Sequence, residues 1–319
     1  MNYFLAVGLP FILLMLCGPI LIKVLKKLNF GQQIRQQGPK SHLEKEGIPT
    51  MGGILILIGI LITAFIVFEI NKYVLWGLIT TFGMGLIGFI DDFIKIKAKS
   101  SLGLRARTKL LGQFLFGILL GFFVYNNIAQ GSTIIVPVTG ELINLGFWII
   151  PLIMLTVVGT ANAVNLTDGL DGLAAGITSV VASSYAIICS LLQMNQMSLF
   201  ALSITGACLG FIWFNGHPAQ VFMGDVGSLA LGGAIASLAV LSRTEIFLII
   251  IGGVYVIEAL SVMIQVVYFR FSGGKRIFQM TPIHHHYELK GLSESKVVVR
   301  FLLLSIVFAS FGLFSFYII

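Results

Sequence analysis

Two aspartates stand side by side, Asp91 and Asp92, at the end of an apolar run and just before a basic stretch from Lys95 to Lys109. Adjacent carboxylates repel one another unless a cation or a proton intervenes. Such a pair serves either as solvated helix-end groups or as part of a site for phosphate chemistry, and three further groups of residues favour the second. Asn162, Asn165, Asp168 and Asp171 recur at every third position and share one stripe if the segment is helical. Glycines between them admit a backbone or a phosphate at close range. The alternative is an Asx-rich turn that caps the next helix; the ligand spacing of a calcium-binding hand is absent. Asp225, in Phe222-Met223-Gly224-Asp225-Val226-Gly227-Ser228, opens an apolar helix. There it either caps the helix or holds a metal ion near phosphate. Phe222 is placed to stack on a base or to anchor at the interface. His284, His285 and His286 are consecutive and internal. Three successive imidazoles on a helix or strand cannot converge on one metal, which argues against a three-histidine zinc site and for one or two of them on phosphate oxygens. Together these groups describe a phosphate-and-divalent-metal site.

The elements that must position them are set by composition. Of 319 residues, 57% are hydrophobic and 10% charged, against about 25% charged in ordinary globular chains. That leaves too little polar surface for a soluble body and excludes intrinsic disorder. Cys17, Cys189 and Cys208 lie far apart in apolar runs, which excludes a disulfide framework. A bilayer core takes about 20 apolar residues as a helix. The expectation is an all-α polytopic membrane protein, a single transmembrane catalytic domain over 1–319. About ten helices are expected, near 3–27, 50–69, 73–94, 109–126, 146–162, 172–192, 198–215, 227–243, 245–269 and 297–319. The eighth and ninth nearly fuse around Ser242–Glu245, which makes nine a possible count. Pro10 and Pro19 are expected to bend the first.

Basic residues give the orientation. Odd-numbered connections and their flanking helix ends hold 18 of the 20 Lys and Arg, and the other side only Lys72 and Arg243. This puts the odd connections in the cytoplasm, both termini outside, and a short external β-hairpin near 132–145. All five aspartates and all five histidines fall on the cytoplasmic connections or adjoining helix ends; Glu258 is the one deep candidate. The net charge of +7 suits a basic face toward anionic lipid or a phosphorylated substrate and implies no nucleic-acid partner.

These residues resemble the polyprenyl-phosphate N-acetylhexosamine-1-phosphate transferase superfamily, and within it the phospho-N-acetylmuramoyl-pentapeptide-transferase branch. The resemblance runs nearly end to end: Gly38-Pro39-Lys40-Ser41-His42, Pro49-Thr50-Met51-Gly52-Gly53, Asp91-Asp92, Ser101-Leu102-Gly103-Leu104 with Lys109, Asn162 to Gly172, Phe222 to Ser228, and His284-His285-His286-Tyr287-Glu288. One departure, Ile48 before Pro49-Thr50, touches no expected catalytic residue. The resemblance implies transfer of phospho-MurNAc-pentapeptide from UDP-MurNAc-pentapeptide to undecaprenyl phosphate, giving lipid I and UMP. It implies Mg²⁺ as cofactor, the inner face of the bacterial cytoplasmic membrane as location, and a homodimer. It further implies Asp225 as metal ligand and Asp91, Asp92, Asp225 and His284 as catalytic residues. Lys45, Thr50, Lys109, Asn162, Asn165, Asp168, Asp171, Asn215, Phe222, Gln265 and His285 are then substrate-binding, with Asn215 and Phe222 near uracil.

Two rival readings remain at this level. One is transfer of GlcNAc-1-phosphate to a polyprenyl phosphate, against which the His-His-His-Tyr-Glu segment argues. The other is a transporter or flippase, for which midplane carboxylates and inverted repeats are expected and neither is visible.

Overall fold

In a computed structural model the described residues are 2–28, 45, 47–98, 100 and 102–319. The Gly38–His42 motif and Ser101 lie outside them. The chain folds as α1 (Asn2–Lys27), α2 (Gly53–Val67), α3 (Lys72–Ala98) and α4 (Ala106–Asn127), then strands β1 (Thr133–Ile135) and β2 (Leu142–Asn144). A 3₁₀ turn (Gly146–Trp148) leads into α5 (Ile149–Thr167), α6 (Leu173–Leu191), α7 (Asn195–Asn215) and α8 (Gly224–Leu241). The chain ends with α9 (Glu245–Ile251), α10 (Gly253–Phe271), α11 (Ile283–Leu289) and α12 (Glu294–Tyr317).

Among the described residues nine helices are long and apolar enough to cross a membrane, which makes this a multi-pass membrane protein. Two of the ten expected spans differ. The span expected at 50–69 forms only the 15 residues of α2, about 22 Å at 1.5 Å per residue against a hydrocarbon core of about 30 Å. Its first residues are instead drawn into an extended contact: Phe222 N–H donates to the Pro49 carbonyl (2.8 Å), and Gly52 N–H to that of Phe222 (2.8 Å). The span expected at 245–269 is two helices, broken at Gly252, where the α9 ladder stops and α10 begins one residue later. The break exists because Gly252 leaves the helical conformation at φ −88°, ψ 25°. α1 runs through both Pro10 and Pro19. In the 132–145 segment β1 and β2 pair antiparallel, Thr133 opposite Asn144 and Ile135 opposite Leu142.

The centre of the bundle is α8, with Val226 through Leu241 all buried. Lipid tails are as apolar as leucine, so helices in a bilayer associate by close packing of small residues. α8 reads Gly-Asp-Val-Gly-Ser-Leu-Ala-Leu-Gly-Gly-Ala-Ile-Ala-Ser, and α2, α3 and α5 all pack on it. α3 makes the most extensive contact, and its Gly88 lies so near the Asp225 carbonyl that a Cβ there would overlap it. Large apolar side chains such as Phe4, Leu16, Phe65, Phe311 and Phe314 face outward, as a lipid-facing surface requires.

Candidate active site

Gly88 is one turn before Asp91 and Asp92, so its contact with α8 brings the end of one helix against the start of another. Asp91, Asp92 and Asp225 thereby each offer an oxygen to a common centre, all within 4.8 Å of one another. Both members of the pair are buried, and Asp225 is half-buried. Asp92 Oδ2 accepts the Val226 N–H (3.1 Å), and Asp91 Oδ1 accepts that of Leu104 (2.8 Å). Gly103 lets the preceding loop close over Asp91, since a Cβ there would contact its carboxylate at 2.5 Å.

Two lysines answer the three carboxylates. Lys95, one helical turn beyond the pair, places Nζ 2.5 Å from Asp91 Oδ2, 3.5 Å from Asp92 Oδ1 and 2.9 Å from Asp225 Oδ2. Lys109, in the first turn of α4, reaches Asp225 Oδ2 at 2.6 Å. With every group ionised, the cluster keeps one negative charge in excess. Asn165 completes it: its Nδ2 donates to Asp225 Oδ1 (2.9 Å) and Ser228 Oγ (2.9 Å), fixing the last turn of α5 to the first of α8. Three hard oxygen donors around one point suit a divalent cation, and Lys95 Nζ stands where such an ion would compete with it.

A second cluster gathers around Asp171, in the turn between α5 and α6. Lys45 Nζ bridges Asp171 Oδ1 (2.7 Å) and Glu294 Oε1 (2.6 Å). His217 Nδ1 lies 3.1 Å from Asp171 Oδ2 and 3.5 Å from Glu294 Oε2. Asp171, His217 and Glu294 also converge as metal ligands do, but the Lys45 ammonium already bridges both carboxylates and offsets one of their two charges, so this is an ion-pair network. Asn215 holds it from below, accepting the Gly172 N–H (3.0 Å) and donating to the Val221 carbonyl (2.9 Å).

The stripe expected from Asn162 to Asp171 does not form. α5 ends at Thr167, Asp168 is its C-cap, and Gly172 takes φ 78°. The turn therefore sends Asn165 to the first cluster and Asp171 to the second, with Asp168 between them. Burial, then the charges of Asp225, Asp92 and Asp171, push the Asp168 carboxyl up to about 8. Asn162 faces sideways, donating to Gln113 Oε1 (2.7 Å) and to the Val158 carbonyl (2.7 Å).

The remaining expected residues are distributed around these clusters. Thr50 is buried beside Gly224, where a Cβ would meet its Oγ1 at 2.9 Å. Phe222 is half-buried on the extended contact with Pro49. The histidines diverge along α11. His284 is fully buried against Glu258 of α10 (Nδ1 to Oε2, 3.1 Å), His285 Nδ1 faces Glu288 Oε2 at 2.7 Å, and His286 Nδ1 accepts the Gln279 N–H (3.1 Å). Gln265 uses its Oε1 to hold the Ile277 and Phe278 N–H groups (3.1 and 2.9 Å). It lines a separate cavity of about 660 Å³ with Arg270 and Arg276. Lys95, His217, Ser228 and Glu294 belong to the site without having been singled out from the sequence. Lys95, three and four residues after the aspartates, and Ser228, in the motif around Asp225, carried local signals.

Residues 74–243 match the model of glycosyl transferase family 4, and residues 45–57 match signature 1 of the phospho-N-acetylmuramoyl-pentapeptide-transferases. The chain is 48% identical over 316 residues to the phospho-N-acetylmuramoyl-pentapeptide-transferase of Geobacillus sp. (strain WCH70), covering 97% of this chain and 96% of that one. It is 47% identical over 310 residues to the same-named protein of Halalkalibacterium halodurans, covering 96% and 95%. Against that of Moorella thermoacetica the identity is 49% over 300 residues, 94% of each chain. Both clusters except Glu294 fall inside the matched family segments; His284, His285 and Gln265 lie beyond them.

Proposed function

The chain belongs to the phospho-N-acetylmuramoyl-pentapeptide-transferase family, and from that premise we propose how its two clusters divide the work. The protein is a transferase of peptidoglycan synthesis that moves phospho-MurNAc-pentapeptide from its UDP carrier to undecaprenyl phosphate, forming lipid I and UMP. One observation carries the reading: two helix ends, pinned by Gly88 against Asp225, put three carboxylates and two lysines around one point. A lipid phosphate at the membrane surface and a nucleotide pyrophosphate can meet only at such a place.

The reaction joins an acceptor phosphate oxygen to the sugar-linked phosphorus of the donor and breaks that phosphorus's bond to the bridging oxygen, which leaves with UMP. Negative charge accumulates on the oxygens in flight, so catalysis consists of positioning and of positive charge. Lys95 and Lys109 supply two such charges and are held in register by Asp225. Asp225, with Asp91 and Asp92 as its neighbours, would hold Mg²⁺. When bound, that ion would supply positive charge for the phosphate oxygens of the transfer. Asp91 and Asp92 orient the acceptor and take up its last proton where one remains; a phosphate monoester with a second pKa of about 6 is mostly dianionic at neutral pH and needs little activation. We place direct attack ahead of an aspartyl-phosphate intermediate. Lys45, Asp171, Asn215 and Phe222 form the donor side, with Asp168 and Asn165 leading from it to the reacting phosphates. Thr50, Asn162, Gln265 and His285 complete the substrate surroundings, and His284, buried behind the Asp168–Asp171 turn, is counted with Asp91, Asp92 and Asp225 in the catalytic machinery.

The site lies on the cytoplasmic face, with both termini and the β-hairpin outside, the whole being one domain of a homodimer in the bacterial cytoplasmic membrane. Support comes from the split of basic residues. The test is UMP release by purified protein given undecaprenyl phosphate, Mg²⁺ and either UDP-MurNAc-pentapeptide or UDP-GlcNAc. Release from the first alone is expected. Release from UDP-GlcNAc alone contradicts the substrate assignment, and substrate flux without UMP revives a transporter.

A further inference from the structure

Glu258 sits in the second turn of α10, midway along the apolar stretch that α9 and α10 form together, and is fully buried. An ionisable group at such depth is costly and needs a partner or a purpose. Its Oε2 lies 3.1 Å from His284 Nδ1, on a ring that is itself fully buried. The approach is off the line of a hydrogen bond, and among the described residues neither the carboxylate oxygens nor the ring nitrogens have another hydrogen-bond partner. Bonds of this kind commonly tighten only when substrate arrives. On its far side the ring meets Gly169, where a Cβ would overlap His284 Nε2. Gly169 belongs to the turn between Asp168, whose carboxyl feels the charges of Asp225 and Asp92, and Asp171, which holds Lys45. A carboxylate, an imidazole and a backbone Cα are thus stacked in contact from α10 through α11 to the loop that separates the two clusters.

We propose that Glu258 is a positioning residue for the transfer, acting through His284 to fix the Asp168–Asp171 turn and hence the donor. This rests on the reading of the site given above. Once that contact tightens into a hydrogen bond, the carboxylate on Nδ1 selects the tautomer that carries its proton there and leaves Nε2 as a lone pair toward the turn. The side chain touches no reacting atom; its effect on the reaction runs entirely through the ring. A purely structural pair would hold α10 to α11 and leave substrate affinities alone, so the two roles separate in the kinetics.

The test measures KM for each substrate, and equilibrium binding of labelled UMP, with the full chain in detergent as wild type, E258A, E258Q and G169A. E258A should raise the donor KM and weaken UMP about tenfold, the scale of losing one charge-assisted bond, with the acceptor KM unchanged. E258Q should recover most of that loss, because its amide oxygen still accepts from Nδ1. G169A should reproduce the donor defect with Glu258 intact, since its methyl group displaces the ring. A wild-type donor KM in E258A, or equal rises in both KM values, overturns the proposal. If E258A yields no folded protein, a wild-type donor KM in G169A overturns it. Wild-type protein that releases no UMP removes the reading of the site and this inference with it, whereas active wild type with unaltered variants removes the inference alone.

Discussion

The Cα of Gly88 lies against the carbonyl of Asp225, with no room for a methyl group between α3 and α8. The geometry of the proposed site depends on that contact, because Asp91 and Asp92 follow about one turn later on α3. Gly88→Ala must push the helices apart or bend one of them; overpacking of this kind costs about 1–3 kcal/mol. We expect the variant to remain in the membrane with a lowered thermal midpoint and turnover reduced more than tenfold. Wild-type turnover in Gly88→Ala would show that the distance between the helix ends is not critical.

Asp225→Asn keeps the shape of the side chain but removes the charge that faces Lys95 and Lys109. Turnover should fall below a tenth of wild type at saturating Mg²⁺, a change of at least about 1.4 kcal/mol in the barrier. The protein should still fold, since Asn165 and Ser228 continue to tie α5 to α8. Activity above that level would place the metal on other residues.

Much of this site was legible in the sequence because its parts are local. The aspartate pair and Lys95 are joined by helical spacing, and Asp225 is marked by the glycines that let α8 pack. Between the two readings of Asn162–Asp171, a helical stripe or a turn before the next helix, spacing alone could not choose, because it cannot show that α5 stops at Thr167 and that Gly172 turns the chain at positive φ. Glu294 and His217 could not be foreseen. They meet Asp171 across long sequence separations, and neither sits in a pattern of its own. The break at Gly252 is likewise invisible to hydropathy, because the residues on either side of it, Ile249–Ile251 and Val254–Ile257, are apolar without interruption.

Asp168 makes stability depend on pH in a direction opposite to most carboxylates. Its carboxyl is held up at about 8 in the folded protein, against an ordinary value near 4. Between those limits the folded state keeps a proton that the unfolded state releases, so stability falls as pH rises from about 4 through 8 and levels off above. The thermal midpoint in Mg²⁺-free detergent should therefore decline over that window, and Asp168→Asn should flatten the slope. A slope unchanged in the variant would assign the effect to other groups.

The split of basic residues is the ground for placing the site on the cytoplasmic face. Single cysteines introduced in a cysteine-free background at Asn2 and in the 275–296 connection should react with an impermeant reagent from opposite sides of intact cells. Labelling from the same side would contradict the topology and the cytoplasmic location of the carboxylates.

Direct attack by the acceptor on the donor pyrophosphate, within the Asp91, Asp92 and Asp225 cluster, is the central claim. A single-turnover mixture of protein, Mg²⁺ and labelled UDP-MurNAc-pentapeptide, first without and then with undecaprenyl phosphate, tests it most directly. No UMP should appear until the acceptor is added, and then one UMP for each lipid I. A stoichiometric burst of UMP before the acceptor, with label retained on Asp91 or Asp92, would contradict it.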